Sequence, residues 1–343
     1  MTSCPLPAVE TERVLLGHGS GGQLMAELLA DVVTPELGGD GALEDAAVIG
    51  VGDTELVFST DGFVVTPRFF PGGDIGSLAV HGTVNDLAMR GARPVALSLA
   101  YVLEEGLPIE ELRQITRSAA KAAQAVGVPI VTGDTKVVGR GAADGVYVTT
   151  TGVGVRLRDA WPSAAAGEVG DVVLLSGPIG LHGTAILSAR EGLGFEAEIA
   201  SDSRPLHRLV AAMVDAGGRD VHVLRDPTRG GLASALNELA RATGVAVEIV
   251  EADVPVPRAV ASACELLGLD PLHVANEGCL VAFVAPASAP AVLAAMRGLP
   301  EGAGTTVIGR VVDGRPGRVT ARTLVGSSRI VDVLVGEQLP RIC

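Results

Sequence analysis

The chain has 343 residues, 48% of them hydrophobic and 19% charged, which is enough for two domains around a large buried core. A net charge of −14 and an aromatic content of 3% argue against nucleic acid and anionic membranes as partners, since both need a basic surface and single strands also need stacking platforms. No apolar run is long enough to span a bilayer, and the start of the chain carries no basic segment followed by an apolar one, so a cytoplasmic protein is expected.

In chain order, "RVLL" (13–16) reads as a short strand, "GHGSGG" (17–22) as a loop, and "QLMAELLADVV" (23–33) as a helix stopped by "TPELGGDG". Strand-like alternation follows in "AAVIGV", "ELVFSTDGFVV", "GVPIVTGDTKVV" and "GVYVTTTGVGV", with helices expected around 75–90 and 108–126. The small, polar stretch 156–170 marks a boundary. Beyond it come the strand "DVVLLSG", helices around 183–191 and 205–216, a helix opened by "DPTRGGLASALNELA", the strands "VAVEIV" and "CLVAFVA", a helix over 288–297 and the strand "TTVIGRVV". Interleaved strands and helices define an α/β or α+β class. The expected division is an N-terminal domain over 1–158, a C-terminal α/β domain over 168–335 and a flexible tail over 336–343.

Gly17, Gly19 and Gly22 satisfy a G-x-G-x-x-G pattern that lets backbone N–H groups approach phosphate. No clean second strand ending in an acidic residue follows, so a dinucleotide fold has weak support, and a plain glycine turn is the alternative. Asp45, Asp61, Asp86, Asp134 and Asp226 each fall where an apolar element meets a turn. Carboxylates converging there would suit a hard cation such as Mg²⁺, although each taken singly is more often a helix cap or turn residue than a ligand. Lys136 is either an anion holder or a lysine on the wet face of a strand, and Glu277 is ambiguous in the same way. Cys264 and Cys279 lie on apolar periodic stretches and read as core thiols, while Cys4 and Cys343 lie at the two ends. A cysteine as the last residue of a polar tail, "GEQLPRIC", is a liability unless its thiol is used.

Together, "GHGSGGQLM", "FSTDGFVVTPRFFPGGDIGSLAVHGTVNDLAM", "LEEGLP", "VTGDTKVV", "LRDPTRGGLA", "CELLGLDPLHVANEG" and the terminal "LPRIC" resemble the HypE family of hydrogenase-maturation proteins. That family belongs to a superfamily with aminoimidazole ribonucleotide synthetase and selenophosphate synthetase. The resemblance covers nearly the whole chain, and the terminal "PRIC" is its specific element.

The resemblance implies an N-terminal sheet that joins its twin in a homodimer barrel, and Mg–ATP held between the two domains. It implies Asp45, Asp86 and Asp226 as Mg²⁺ ligands, and Asp61, Asn85, Asp134 and Thr135 at the nucleotide with Gly19, Gly21 and Gly22. It places Lys136 and Glu277 near the reacting group. Cys343 would accept a carbamoyl group from the carbamoyltransferase HypF, and ATP would drive its dehydration to a thiocyanate. The cyano group would pass to iron on the HypC–HypD complex for the [NiFe]-hydrogenase centre. The last eight residues could reach at most ~27 Å, with Gly336 as hinge, Pro340 as stiffener and Arg341 favouring the thiolate against the opposing terminal carboxylate. The family reads Gly-Asp-His-Gly where this chain has "GLHG", so with Leu181 in the acidic position His182 is not carried over. The competing readings are another ATP-dependent synthetase of the superfamily and a non-catalytic thiol carrier.

Overall fold

The computed structural model describes residues 13–19, 21–37, 44–193, 199–334, 339 and 341–343. Gly336, Pro340 and Cys4 lie outside them, and so do the roles expected of the first two. The expected strand at "RVLL" is absent. Residues 13–15 are irregular and lead into a 3₁₀ turn over Leu16–Gly19, with Val14 and Leu16 largely exposed. Strand propensity there has no pleated surface to pack against.

The first helix is longer than expected. α1 (Gln23–Leu28) passes through a π-wound turn, Leu29–Val33, into α2 (Thr34–Leu37). The wider winding falls just ahead of Pro35, whose ring would crowd the carbonyl four residues earlier in a regular helix.

The N-terminal sheet contains β1 (Ala47–Val51), β2 (Thr54–Phe63), β5 (Ala92–Glu104), β6 (Ile130–Thr132), β7 (Thr135–Val138) and β8 (Val146–Arg156). A small hairpin, β3 (Phe69–Phe70) with β4 (Gly73–Asp74), lies between β2 and α3 (Ile75–Met89), and α4 (Ile109–Val126) precedes β6. The order is β1-β2-β8-β5-β6, with β7 also on β5; β6 and β7 run parallel to β5 and the rest is antiparallel. The single strand expected over "GVPIVTGDTKVV" is broken at Gly133, where any Cβ would collide with the Leu99 carbonyl oxygen.

Helix α3 starts in a capping box, with the Asp74 carboxylate accepting from the Ser77 N–H and the Ser77 hydroxyl near the Asp74 N–H. It is buried on nearly all sides, as a helix between two layers must be. Helix α4 shields it from solvent through Ile115, Ala119, Ala122 and Ala123, which lie on one stripe.

The C-terminal half contains β9 (Val172–Leu175), α5 (Leu181–Glu191), α6 (His207–Gly217), β10 (Val221–Arg225), α7 (Gly231–Thr243), β11 (Ala246–Val250), α8 (Arg258–Leu267), β12 (Val281–Val284), α9 (Ala289–Arg297), β13 (Thr306–Val312), β14 (Val319–Arg322) and β15 (Ser328–Ile330). Its sheet order is β10-β12-β9-β13-β11-β14-β15. One face carries α7 through Leu232, Leu236 and Leu239, and the other carries α6 and α9 through Leu209, Met213, Val292 and Met296.

Helices α5 and α8 belong to the core of the first half. Ile186, Val260 and Cys264 are in one apolar cluster with Leu78, Ile115 and Val148. Leu339 and Ile342 are buried in the same cluster, so the end of the chain is packed where the two halves meet. Among the described residues no helix is long and apolar enough to cross a membrane.

Candidate active site

A cavity of about 610 Å³ opens between the two halves. Its walls carry Asp45, Asp61, Asp86, Asp226 and Glu277, the arginines Arg225 and Arg229, the start of α1 at Gly21 and Gly22, and the chain's own Cys343. Two of the aspartates are not at element ends as expected: Asp61 lies within β2 and Asp86 within α3.

The loop between β10 and α7 decides what Asp226 does. Helix α7 starts at Gly231, with Gly230 as N-cap and no side-chain cap. Gly230 and Gly231 both have positive φ, and a Cβ at Gly231 would lie 2.6 Å from the Leu272 carbonyl oxygen and 2.7 Å from that of Val274. The double-glycine turn therefore pushes the helix start five residues past Asp226. Asp226 caps nothing, and its carboxyl faces the cavity.

The carboxyl groups are crowded and buried, and burial raises the pKa of each. Asp226 is pushed up to about 7 by burial and by Asp45, with Arg225 opposing. Asp86 lies well above the usual range through burial and the charges of Asp226, Asp61 and Asp45, although the Ser59 hydroxyl donates to it at 2.7 Å. Asp45 is raised by burial despite a 2.6 Å ion pair with the Arg225 guanidinium. Asp61 is raised by burial against the pull of Arg229, and its Oδ1 accepts from the Gly62 N–H at 2.7 Å. Glu277 is raised well above its ordinary value by burial and by Asp226 and Asp61, with Arg229 opposing. A site in this condition gains stability from cations.

Its donors are carboxylate oxygens, the type that hard cations such as Mg²⁺ take. Among the described residues no three of these groups form a ready-made metal cluster. A Mg²⁺ ion in such a site completes its shell with phosphate oxygens and water. The donor set fits a nucleotide-borne divalent ion.

The last three residues lie at the cavity and are held there by their backbone. The Val64 N–H donates to a Cys343 terminal oxygen at 3.0 Å and the Thr66 N–H to the Arg341 carbonyl at 3.1 Å. The Arg190 guanidinium adds a 2.9 Å bond to the Arg341 carbonyl. The thiol pKa is pushed up to about 12 by burial, with Arg229 pulling it down and Glu277, Asp61 and Asp226 raising it further. In this docked position the sulfur is a neutral thiol.

Several expected site residues lie elsewhere. Asn85 is buried and structural: its amide donates to the Arg204 and Glu277 carbonyls, and its oxygen accepts from the Leu206 N–H. Gly19 lines a smaller neighbouring pocket that shares Gly22, Arg229 and Cys343 with the main cavity. Asp134, Thr135 and Lys136 are exposed where β6 meets β7, and Lys136 pairs with Asp134 at 2.8 Å. Within one chain these three are not among the residues that line the cavity. Arg341 pairs with Asp144 at 2.7 Å and donates to the Val64 carbonyl, so it anchors the tail and the guanidinium acting on the thiol is that of Arg229. Leu181 packs against the shared core, and the carboxyl whose charge acts on His182 is that of Asp202. Arg225 and Arg229 were not singled out in the sequence. They lie inside "LRDPTRGG", yet nothing local shows that they turn toward four aspartates.

Two-domain architecture, a carboxylate-lined cleft between the halves and a glycine-rich start to α1 define the class. Residues 43–156 match the AIR synthase related protein N-terminal domain, and residues 168–322 match the AIR synthase related protein C-terminal domain. A carbamoyl dehydratase HypE of Bradyrhizobium diazoefficiens is 53% identical over 330 residues, covering 96% of this chain and 95% of that protein. A crystal structure of the hydrogenase maturation protein HypE in complex with ATP superposes with a TM-score of 0.82 at 46% identity, covering 96% of this chain and all of the other. A HypE–HypF complex gives 0.84 at 45% identity, covering 91% of this chain and 100% of that one. The chain belongs to the HypE family of carbamoyl dehydratases, within the AIR synthase related proteins.

Proposed function

We propose that this chain uses ATP to dehydrate a carbamoyl group carried on its own Cys343, giving the thiocyanate that supplies a cyanide ligand during [NiFe]-hydrogenase maturation. The observation that carries this reading is the position of the Cys343 thiol, in one cavity with seven acidic side chains and Arg229. An ATP-bound HypE among the similar structures supports the nucleotide, and a HypE–HypF complex supports HypF as the enzyme that loads the thiol. The HypC–HypD complex is the acceptor of the cyano group, and the reaction runs in the cytoplasm.

The chemistry follows from the leaving group. The carboxamide oxygen of R–S–C(=O)–NH₂ attacks the γ-phosphorus, ADP departs and the amide gives up one N–H proton. Cleavage of the C–O bond then expels phosphate, and loss of the second N–H proton completes C≡N. Glu277 accepts a proton from nitrogen; burial raises its proton affinity, which makes its ionised form a stronger base. Its backbone is pinned by Asp202, which accepts from the Glu277 and Gly278 N–H groups at 3.1 and 3.0 Å. Arg229 would offset negative charge at the transferring group, and the backbone at Gly21 and Gly22, which lines the cavity, would meet the phosphates. Asp45, Asp86 and Asp226 would hold Mg²⁺, which when bound neutralises charge on the phosphates.

The working unit in this reading is a homodimer. Phe58, Val95, Val131 and Val137 leave apolar side chains exposed on the N-terminal sheet, and joining two such sheets would cover them. Asp134, Thr135 and Lys136 lie at its edge, so the partner subunit's cavity is the place where they would act.

Intact-protein mass spectrometry tests the reading, with HypF, carbamoyl phosphate and Mg–ATP supplied to wild type and to Cys343→Ala. A carbamoyl-sized gain that turns into a cyano-sized one with ATP, absent from Cys343→Ala, is the expected result. Loading without subsequent loss of water would overturn the dehydratase assignment.

A further inference from the structure

Helix α5 carries a group that the chemistry above does not use. His182 is buried, and each ring nitrogen has a partner: Nε2 lies 2.6 Å from the Ile342 carbonyl oxygen and Nδ1 lies 2.7 Å from Ser201 Oγ. A carbonyl can only accept, so Nε2 carries the proton. Burial holds the ring below the usual histidine range and therefore neutral, which leaves Nδ1 as an acceptor for the Ser201 hydroxyl. Ser201 Oγ in turn accepts from the Ser203 N–H at 3.1 Å. The result is a directed chain, from the Ser203 amide through the Ser201 hydroxyl and the imidazole to the carbonyl next to the reactive cysteine. The ring is wedged in place by Phe70, edge-on at a centroid distance of 5.5 Å.

We propose that His182 is a positioning residue that latches the tail by its backbone and so sets where Sγ of Cys343 lies in the cavity. The contact is to the peptide link between Ile342 and Cys343, one residue from the sulfur. It reads main chain only, so it serves thiol, carbamoylated and cyanated tails alike. The same segment that fixes the imidazole also fixes the proposed base. Ser201 orients the ring, and the adjacent Asp202 holds the Glu277 and Gly278 amides. The carrier and the base are thus referenced to one stretch of backbone, which keeps their separation constant each time the tail docks.

The docking part of the proposal stands on geometry alone, and the catalytic part rests on the dehydratase reading. Two measurements separate them. The first is the alkylation rate of Cys343, read by mass spectrometry of the C-terminal peptide in the absence of nucleotide. The second is the single-turnover loss of water from carbamoyl-loaded protein with Mg–ATP.

His182→Phe keeps the shape of the ring and removes the donor. It is expected to raise Cys343 alkylation and slow dehydration, each by about 5- to 100-fold, as for loss of one buried hydrogen bond that leaves a carbonyl unsatisfied. The KM for ATP stays unchanged. His182→Gln, whose amide N–H₂ can reach the position of Nε2, restores both. Ser201→Ala releases the tautomer without touching the tail and gives an intermediate loss; it decides the matter if His182→Phe fails to fold. Wild-type protection of Cys343 in His182→Phe, or a His182→Gln variant as impaired as His182→Phe, overturns the latch. A wild type that never loses water overturns the dehydratase reading and leaves the alkylation result to judge the latch.

Discussion

Alkaline pH should release the tail, and the size of the effect follows from the thiol. Free Cys343 has an ordinary pKa of 9.0, whereas burial in the acidic cavity pushes it up to about 12. A raised pKa means that the docked state prefers the protonated form. Docking is therefore at full strength below the free value and is lost as the pH climbs toward the docked one. Between about pH 8 and about pH 10 the free tail becomes almost fully ionised while the docked thiol stays protonated, which weakens docking about 10-fold. Asp226 titrates at about 7, below this window.

The assay compares iodoacetamide alkylation of Cys343 in the protein with that of a synthetic peptide of the last eight residues. The peptide supplies the intrinsic thiolate dependence, and the ratio of rates is the protection due to docking. Protection falling about 10-fold across the window is expected. A constant ratio would refute the claim that the cavity holds the sulfur as a thiol. A ratio that rises with pH would mean that Arg229 dominates and the docked group is a thiolate.

Two further outcomes follow from the acidic cluster and the glycine turn. In metal- and nucleotide-free protein, the raised Asp226 carboxyl favours the folded state only while protonated, so its contribution is lost as pH rises from about 4 toward about 7. Asp226→Asn should flatten the Tm–pH curve over that interval in differential scanning fluorimetry; an unchanged curve would contradict the crowding argument. Gly231→Ala should lower stability by about 2–4 kcal/mol, because a Cβ in that positive-φ position meets two carbonyl oxygens, and urea unfolding measures it.

The sequence by itself determined a good deal. Alternating apolar runs placed β2 and β5's neighbour β8, and the stripe of Ile115, Ala119 and Ala122 placed α4, because these periodicities record which side of an element is wet; the continuous apolar run of β12 marks a strand covered on both faces. The terminal cysteine and the motifs around Asp45, Asp61, Asp86, Asp226 and Glu277 were legible as chemistry, and the structure brings all of them to one cavity. What spacing could not carry was direction and partnership. Asp226 read as a cap until two left-handed glycines displaced the helix start, and Asn85 read as a nucleotide ligand although its amide bridges backbone from Arg204 and Glu277. Arg229 and His182 act on the tail across more than a hundred residues of chain, and only the packing of α5 and the β10–α7 loop against the N-terminal half creates those contacts. Local sequence encodes the period and the turn chemistry of each element. Long-range burial, which shifts the carboxyl groups and seats the thiol among them, is a property of the assembled halves, and only the tertiary structure decided it.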